Sequence, residues 1–186
     1  MKHFSILIII VITILSCNSK LETKDKANEN LTEQKYGKKF FDYDEIDHYS
    51  TNFDDEKIGE LFDNKSKSEI DSIKMGVILD KIPNNISDLS FIQKLERIGY
   101  KKSIVDKSKF KYIDKIFVEK SVRENIATAC IYVYRDILIF KKENKVIGTA
   151  KICFDCLASQ INGTEANIEN FGQDGDYGKL ETILRK

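Results

Sequence analysis

The sequence predicts an α+β fold: several short helices packed on a small antiparallel sheet built around a C-terminal β-hairpin. Three observations carry that expectation. Between Asp54 and Phe117, apolar residues recur at helical spacing behind residues suited to capping. After Asn125 the pattern changes to runs of β-branched and aromatic residues, divided by the polar stretch Lys142-Glu-Asn-Lys145. From Asn18 to Lys39 the chain is too polar to offset its own ordering entropy.

The first sixteen residues read as an export signal. Lys2 and His3 give a positive start, and Phe4 to Leu15 is almost wholly apolar. A signal-peptide hydrophobic region runs roughly 7–15 residues, whereas a spanning helix needs about 20. Lys20 and Lys24 follow too soon for the second reading. The run ends in Ile14-Leu15-Ser16-Cys17, which resembles a bacterial lipobox: two aliphatic residues, a small one, then the acylated cysteine. That resemblance implies cleavage before Cys17, a diacylglyceryl group on its sulfur, and a membrane partner reached through the lipid. Stable anchoring takes at least two chains. Asn18 is not the aspartate associated with inner-membrane retention, so the expected location is the cell envelope, at the outer membrane.

Residues 17–39 read as a flexible tether, on the order of 25 Å long as a random coil, and 40–186 as one domain. Phe40-Phe41 open the folded part, and Glu45 to Ser50 is a short extended segment. Asp54 or Asp55 caps a helix carrying Ile58, Leu61 and Phe62. Ser66-Lys-Ser-Glu69 has the form of a capping box, with Ile70, Ile73, Val77 and Ile78 on one face behind it. Met75 to Leu79 alone could be a strand, but the cap and spacing favour helix. Ser87 caps the next helix, Ile86 and Phe91 staple it, Phe91, Leu95 and Ile98 form its stripe, and Gly99 stops it. A further helix carries Phe110, Ile113 and Phe117. Two strands follow, Ala129 to Phe140 and Val146 to Cys156, and Tyr177 to Leu184 is the last helix.

Thirty basic and thirty acidic residues cancel. The balance excludes the basic field that nucleic acid requires, and no basic face points to a phospholipid surface. No catalytic constellation emerges. His48 is the single histidine left for a Ser-His-Asp triad once His3 is cleaved off, and no nucleophile elbow accompanies it. Tyr134-Arg135-Asp136 matches a kinase catalytic loop only as a triplet. The acidic run Asp42, Asp44, Glu45, Asp47 with His48 reads as a solvated edge, or less readily as a partner-binding patch. Residues 170–181 partly fit a calcium loop, with Gly175 sixth and Glu181 twelfth. Asn170 stands first and Gly172 third, however, so a glycine-rich turn before the last helix is preferred. No cofactor or metal is expected.

The cysteines are the least ordinary feature. Cys130, Cys153 and Cys156 would share an oxidising compartment. With the turn centred on Glu143-Asn144, Ile131 and Val133 oppose Cys156 and Phe154 on a core face, and Cys130 falls opposite Leu157. A one-residue bulge would bring Cys130 across from Cys156. A Cys130–Cys156 disulfide with Cys153 as the free thiol is the preferred reading, and three inert buried thiols the next. Cys153-Phe-Asp-Cys156 has the spacing of thiol oxidoreductases, but such motifs work at a helix N-terminus and these end a strand. A zinc site with His48 lacks the second pair it needs.

The run Thr128-Ala-Cys-Ile-Tyr-Val-Tyr-Arg-Asp-Ile-Leu-Ile-Phe140, then Lys151-Ile-Cys-Phe-Asp-Cys156 and Asn170-Phe-Gly172, resembles uncharacterised lipoproteins of Bacteroidota. The resemblance covers roughly the last sixty residues and, separately, the lipobox. It implies a lineage and no activity. The expected function is a non-enzymatic, envelope-tethered module that binds a protein or a small ligand. The alternative is a thiol-dependent redox or metal-handling protein.

Overall fold

A computed structural model describes residues 37–79, 81–121 and 130–185. The export signal, Cys17 and the tether up to residue 36 lie outside the described residues, as does the expected strand start at Ala129. Among the described residues, five strands form one antiparallel sheet: β1 (Glu45–Ser50), β2 (Lys101–Ile104), β3 (Asp136–Lys142), β4 (Lys145–Cys153) and β5 (Ala158–Asn162), in the order β2-β1-β3-β4-β5. Four helices accompany it: α1 (Asp55–Asp63), α2 (Glu69–Ile78), α3 (Phe110–Ile113) and α4 (Asp176–Arg185). The fold is α+β. No helix among the described residues is long and apolar enough to cross a membrane.

Side chains alternate across a strand, and apart from the exposed edge strand β2 both faces of this sheet carry buried side chains. Ile46, Leu138, Phe140, Ala150, Ile152 and Ile161 point to one side. There they meet Ile113 of α3, Leu180 of α4 and an aromatic group containing Phe40, Phe41, Phe117 and Phe171. Tyr49, Ile137 and Ile139 point to the other side, where Ile58 of α1, Val77 and Ile78 of α2, and Phe91, Leu95 and Ile98 close over them. Burial on both faces explains why β3 reads as the unbroken apolar run Ile137-Leu-Ile-Phe140 rather than an alternation.

The hairpin turn sits where its residues predict. Glu143 and Asn144 both have positive φ, 50° and 62°, the pair of left-handed residues that a two-residue turn of matching twist requires. Lys142 opposes Lys145 and Lys141 opposes Val146, but Phe140 then opposes Gly148, so Ile147 is an extra residue on β4. Phe41 stacks on Phe140 with ring centroids 4.4 Å apart. A Cβ on Gly148 would fall 2.1 Å from that Phe41 ring. Glycine at 148 is what lets the ring lie over the bulge.

Several expected elements are corrected. The N-cap of α2 is Ser68, not Ser66. Its hydroxyl accepts the Asp71 N–H at 3.1 Å and donates to the Asp71 carboxylate at 2.7 Å, a box two residues later in the chain. Ser87 caps no helix, because Asn85 Oδ1 accepts both its N–H (2.9 Å) and its hydroxyl. The helix expected there is a single 3₁₀ turn at Ile92–Lys94 flanked by turns, although Phe91, Leu95 and Ile98 are buried as a stripe. In α1, Ile58 and Leu61 are buried and Phe62 is exposed. The helix carrying Phe110 is one turn long. The expected first hairpin strand begins at Asp136, since residues 130–135 lie outside the sheet. The second ends at Cys153, and a turn with Leu157 at φ 49° leads into β5. Neither β2 nor β5 was expected from the sequence.

Candidate functional site

The cysteine end of the hairpin concentrates the chemistry. Tyr134 gives its N–H to the Ile78 carbonyl at the end of α2 (2.9 Å) rather than to a neighbouring strand. The chain preceding it is thereby drawn off the sheet. Cys130 lies on this departed segment and is bonded to Cys156, with Cα atoms 5.9 Å apart and a sequence separation of 26. The bulge cannot account for the pairing. Its extra residue is on β4, so continuing the ladder carries Cys130 one place further from Cys156. The bond closes because residues 130–135 leave the ladder. The expected core position of Ile131 is overturned for the same reason: it is 79% exposed. Cys153 is free and buried at the end of β4, packed with Tyr134 and Cys156.

Two cations hold this corner. Arg135 donates from Nε to the Phe53 carbonyl (3.1 Å) and pairs with Asp155 (3.1 Å) and Asp55, tying the departed segment to α1 and to the turn after β4. Lys151 is fully buried. Its ammonium donates to the carbonyls of Val77 and Ile82, each at 2.9 Å, and lies 4.4 Å from the centre of the Tyr134 ring. It therefore ties the end of α2 and the segment before Pro83 to the sheet. Gln160 and Asn162 of β5 extend the same tie, donating to Pro83 O at 3.0 and 3.2 Å. Neither role was assigned from sequence. A lysine within Thr149-Ala-Lys-Ile-Cys, on a strand bounded by apolar residues, was the available signal.

The acidic run does not form a solvated edge throughout. Asp47 and His48 are buried. Asp47 pairs with Lys141 (2.5 Å) and Lys102 (2.9 Å), and Glu45 also pairs with Lys141 (2.8 Å). Burial works against the Lys141 ammonium, but its hydrogen bonds to Asp47 and Glu45 outweigh that and lift its pKa above the ordinary value. His48 Nε2 lies 2.8 Å from Asp136 Oδ1, and Arg185 reaches Asp136 Oδ2 at 2.8 Å. Ser103 donates to the His48 carbonyl at 3.3 Å, not to the ring. Alternation explains the burial: polar side chains land on inner faces of the sheet, so the buried carboxylates of Asp47 and Asp136 take basic side chains as partners.

In the 170–181 loop, Asn170 donates to the Lys120 carbonyl at 3.0 Å and buried Asp176 pairs with Lys120. Lys179 caps the Asp174 carbonyl at 2.7 Å. Among the described residues, no group of three or more His, Cys, Asp or Glu side chains could hold a metal ion.

Beside the cysteine corner lies an open groove of about 410 Å³ between α1 and residues 131–133. Buried or half-buried Ile58, Leu79 and Val133 line it, together with exposed Phe62, Ile131, Asp55 and Asp63. Comparison with family models, curated proteins and solved structures finds no match for this chain.

Proposed function

We propose that the chain is an envelope lipoprotein of the Bacteroidota type, anchored at the outer membrane through lipid on Cys17, whose domain is a non-enzymatic binding module. The observation that carries the reading is Ile14-Leu15-Ser16-Cys17 closing an apolar run behind Lys2 and His3. The Cys130–Cys156 bond is in keeping with export, because disulfides persist in oxidising compartments. The ionisable groups inside the domain also support binding over catalysis. His48, Asp136 and Arg185 bind one another, as do Asp47, Glu45 and Lys141, and neither set lines the groove. Labelling cells with radioactive palmitate tests the anchor. Label should enter the wild-type chain and be absent from Cys17→Ser, which should leave the membrane fraction. Label retained in Cys17→Ser would overturn the reading.

A thiol-dependent redox or metal-handling protein is the second reading, and the packing of Cys153 beside the bonded pair is the observation in its favour. Burial of that thiol at the end of a strand weighs against it.

A further inference from the structure

We infer that the groove between α1 and residues 131–133 docks a cationic, amphipathic protein segment, which rests on the binding-module reading and gives it a partner. Two large apolar side chains face water across one opening: Phe62, 61% exposed, and Ile131, 79% exposed. Between them the floor is apolar and partly or fully buried. A volume of about 410 Å³ lies within the range of functional pockets, roughly 300–1,000 Å³.

The walls are fixed before any partner arrives. The Cys130–Cys156 bond holds the residue next to Ile131. Tyr134 and Arg135, just beyond Val133, are held by the end of α2, by the Phe53 carbonyl and by two carboxylates. A preformed site of this kind loses less ordering entropy on binding.

Gly59 is an independent sign. It stands mid-helix in α1 on the groove, where glycine is worse than alanine by roughly 0.5–1 kcal/mol. A Cβ built there meets nothing within 4 Å. The fold therefore does not require glycine, whereas close approach of a partner to the α1 backbone would.

Charge selects the occupant. Asp54, Asp55, Glu56, Glu60 and Asp63 lie in or cap α1 against one lysine, Lys57. Arg135 is engaged by Asp55 and Asp155, and Lys67 by the Phe62 and Asn64 carbonyls. Of the two carboxylates that line the groove, Asp55 pairs with Arg135, and Asp63 is exposed. Such a field repels anionic lipid headgroups and favours apolar anchors flanked by Lys or Arg, the pattern of an amphipathic helix laid into a groove.

The test is fluorescence anisotropy of a short labelled helical peptide, Leu on one face and Lys on the other, with the full chain in its oxidised form. Binding is expected, together with none for the matched peptide carrying Glu in place of Lys. Ile131→Ser and Phe62→Ser, both at exposed positions, should each weaken binding about tenfold. Gly59→Ala should raise Tm while weakening binding several-fold, a combination that a purely structural glycine does not give. No binding of the Lys peptide would overturn the proposal. So would equal loss from Glu165→Lys at a remote surface, equal binding by the Glu peptide, or a dimer in sedimentation that Ile131→Ser dissolves. Anionic vesicles capturing the domain through Ile131 would overturn it as well. Failure of palmitate labelling removes the anchor and leaves this assay readable, so the two readings fail separately.

Discussion

The two ends of the β3–β4 hairpin are built on different principles. At the turn end, Lys142 to Lys145, the register is set within four residues by two left-handed positions and a paired lysine on each side, and one distant group, Asp44 Oδ2, adds a bond by accepting the Glu143 N–H at 3.0 Å. At the cysteine end the pairing stops at Asp136–Ile152, and groups distant in sequence take over. Tyr134 bonds to Ile78, Arg135 to Phe53 and Asp55, Lys151 to Val77 and Ile82, and Cys130 to Cys156. Local chemistry sets register; non-local polar chemistry decides where a strand leaves the sheet.

If that contrast holds, the largest effect comes from opening the cysteine end. The Cys130–Cys156 bond closes a loop with a sequence separation of 26, for which the chain-entropy treatment gives about 3.5 kcal/mol. The double variant Cys130→Ser, Cys156→Ser should lose roughly 7–14 °C in Tm at about 2–4 °C per kcal/mol. Hydrogen exchange should quicken around residues 130–135 and leave the amides beside the turn unchanged. Equal quickening at both ends would break the comparison, since the hairpin would then be one cooperative unit.

Lys151→Met comes next. The substitution fits the volume of the side chain but leaves the Val77 and Ile82 carbonyls without their donor in a buried place. Unsatisfied buried groups cost about 1–3 kcal/mol, so a loss of about 3 kcal/mol is expected, measured by urea unfolding. A variant as stable as the parent would show that apolar packing alone holds α2 against the sheet.

The same contrast explains what could be read in advance. The extended segment Glu45–Ser50, the turn at Glu143-Asn144 and helix α4 were legible, because each depends on caps, turn residues or alternation close in sequence. Strand β2 was not: Lys101-Lys-Ser-Ile104 is exposed throughout and carries no apolar alternation, and it is a strand because β1 offers it an edge. Pairing between β4 and β5 was hidden likewise, since Cys153 to Leu157 shows no turn motif beyond one residue forced to positive φ. The cysteine pair was named from spacing and export, but the path that brings it together runs through Tyr134 and Arg135. The groove went unread because its walls come from α1 and the departed segment, which nothing in the sequence joins.

The smallest effect belongs to the turn end and has the opposite sign. Glu143 holds φ at 50° with its side chain exposed, a backbone region that only glycine and, less freely, asparagine or aspartate visit without strain. Asn144, its neighbour, is already suited to that region. Glycine at 143 would remove the strain but add freedom to the unfolded chain, so much of the gain would cancel. Asparagine avoids that loss. Glu143→Asn should therefore stabilise the domain by about 0.5 kcal/mol, seen as a rise of roughly 1–2 °C in Tm. The Asp44 bond to the residue 143 N–H is a backbone contact and survives the change. Because none of the turn's bonds reaches the cysteine end, the gain should be the same in the oxidised protein and in the variant lacking Cys130 and Cys156. A gain that vanishes without the disulfide would mean that the two ends communicate along the ladder, and that the turn does not fix register by itself.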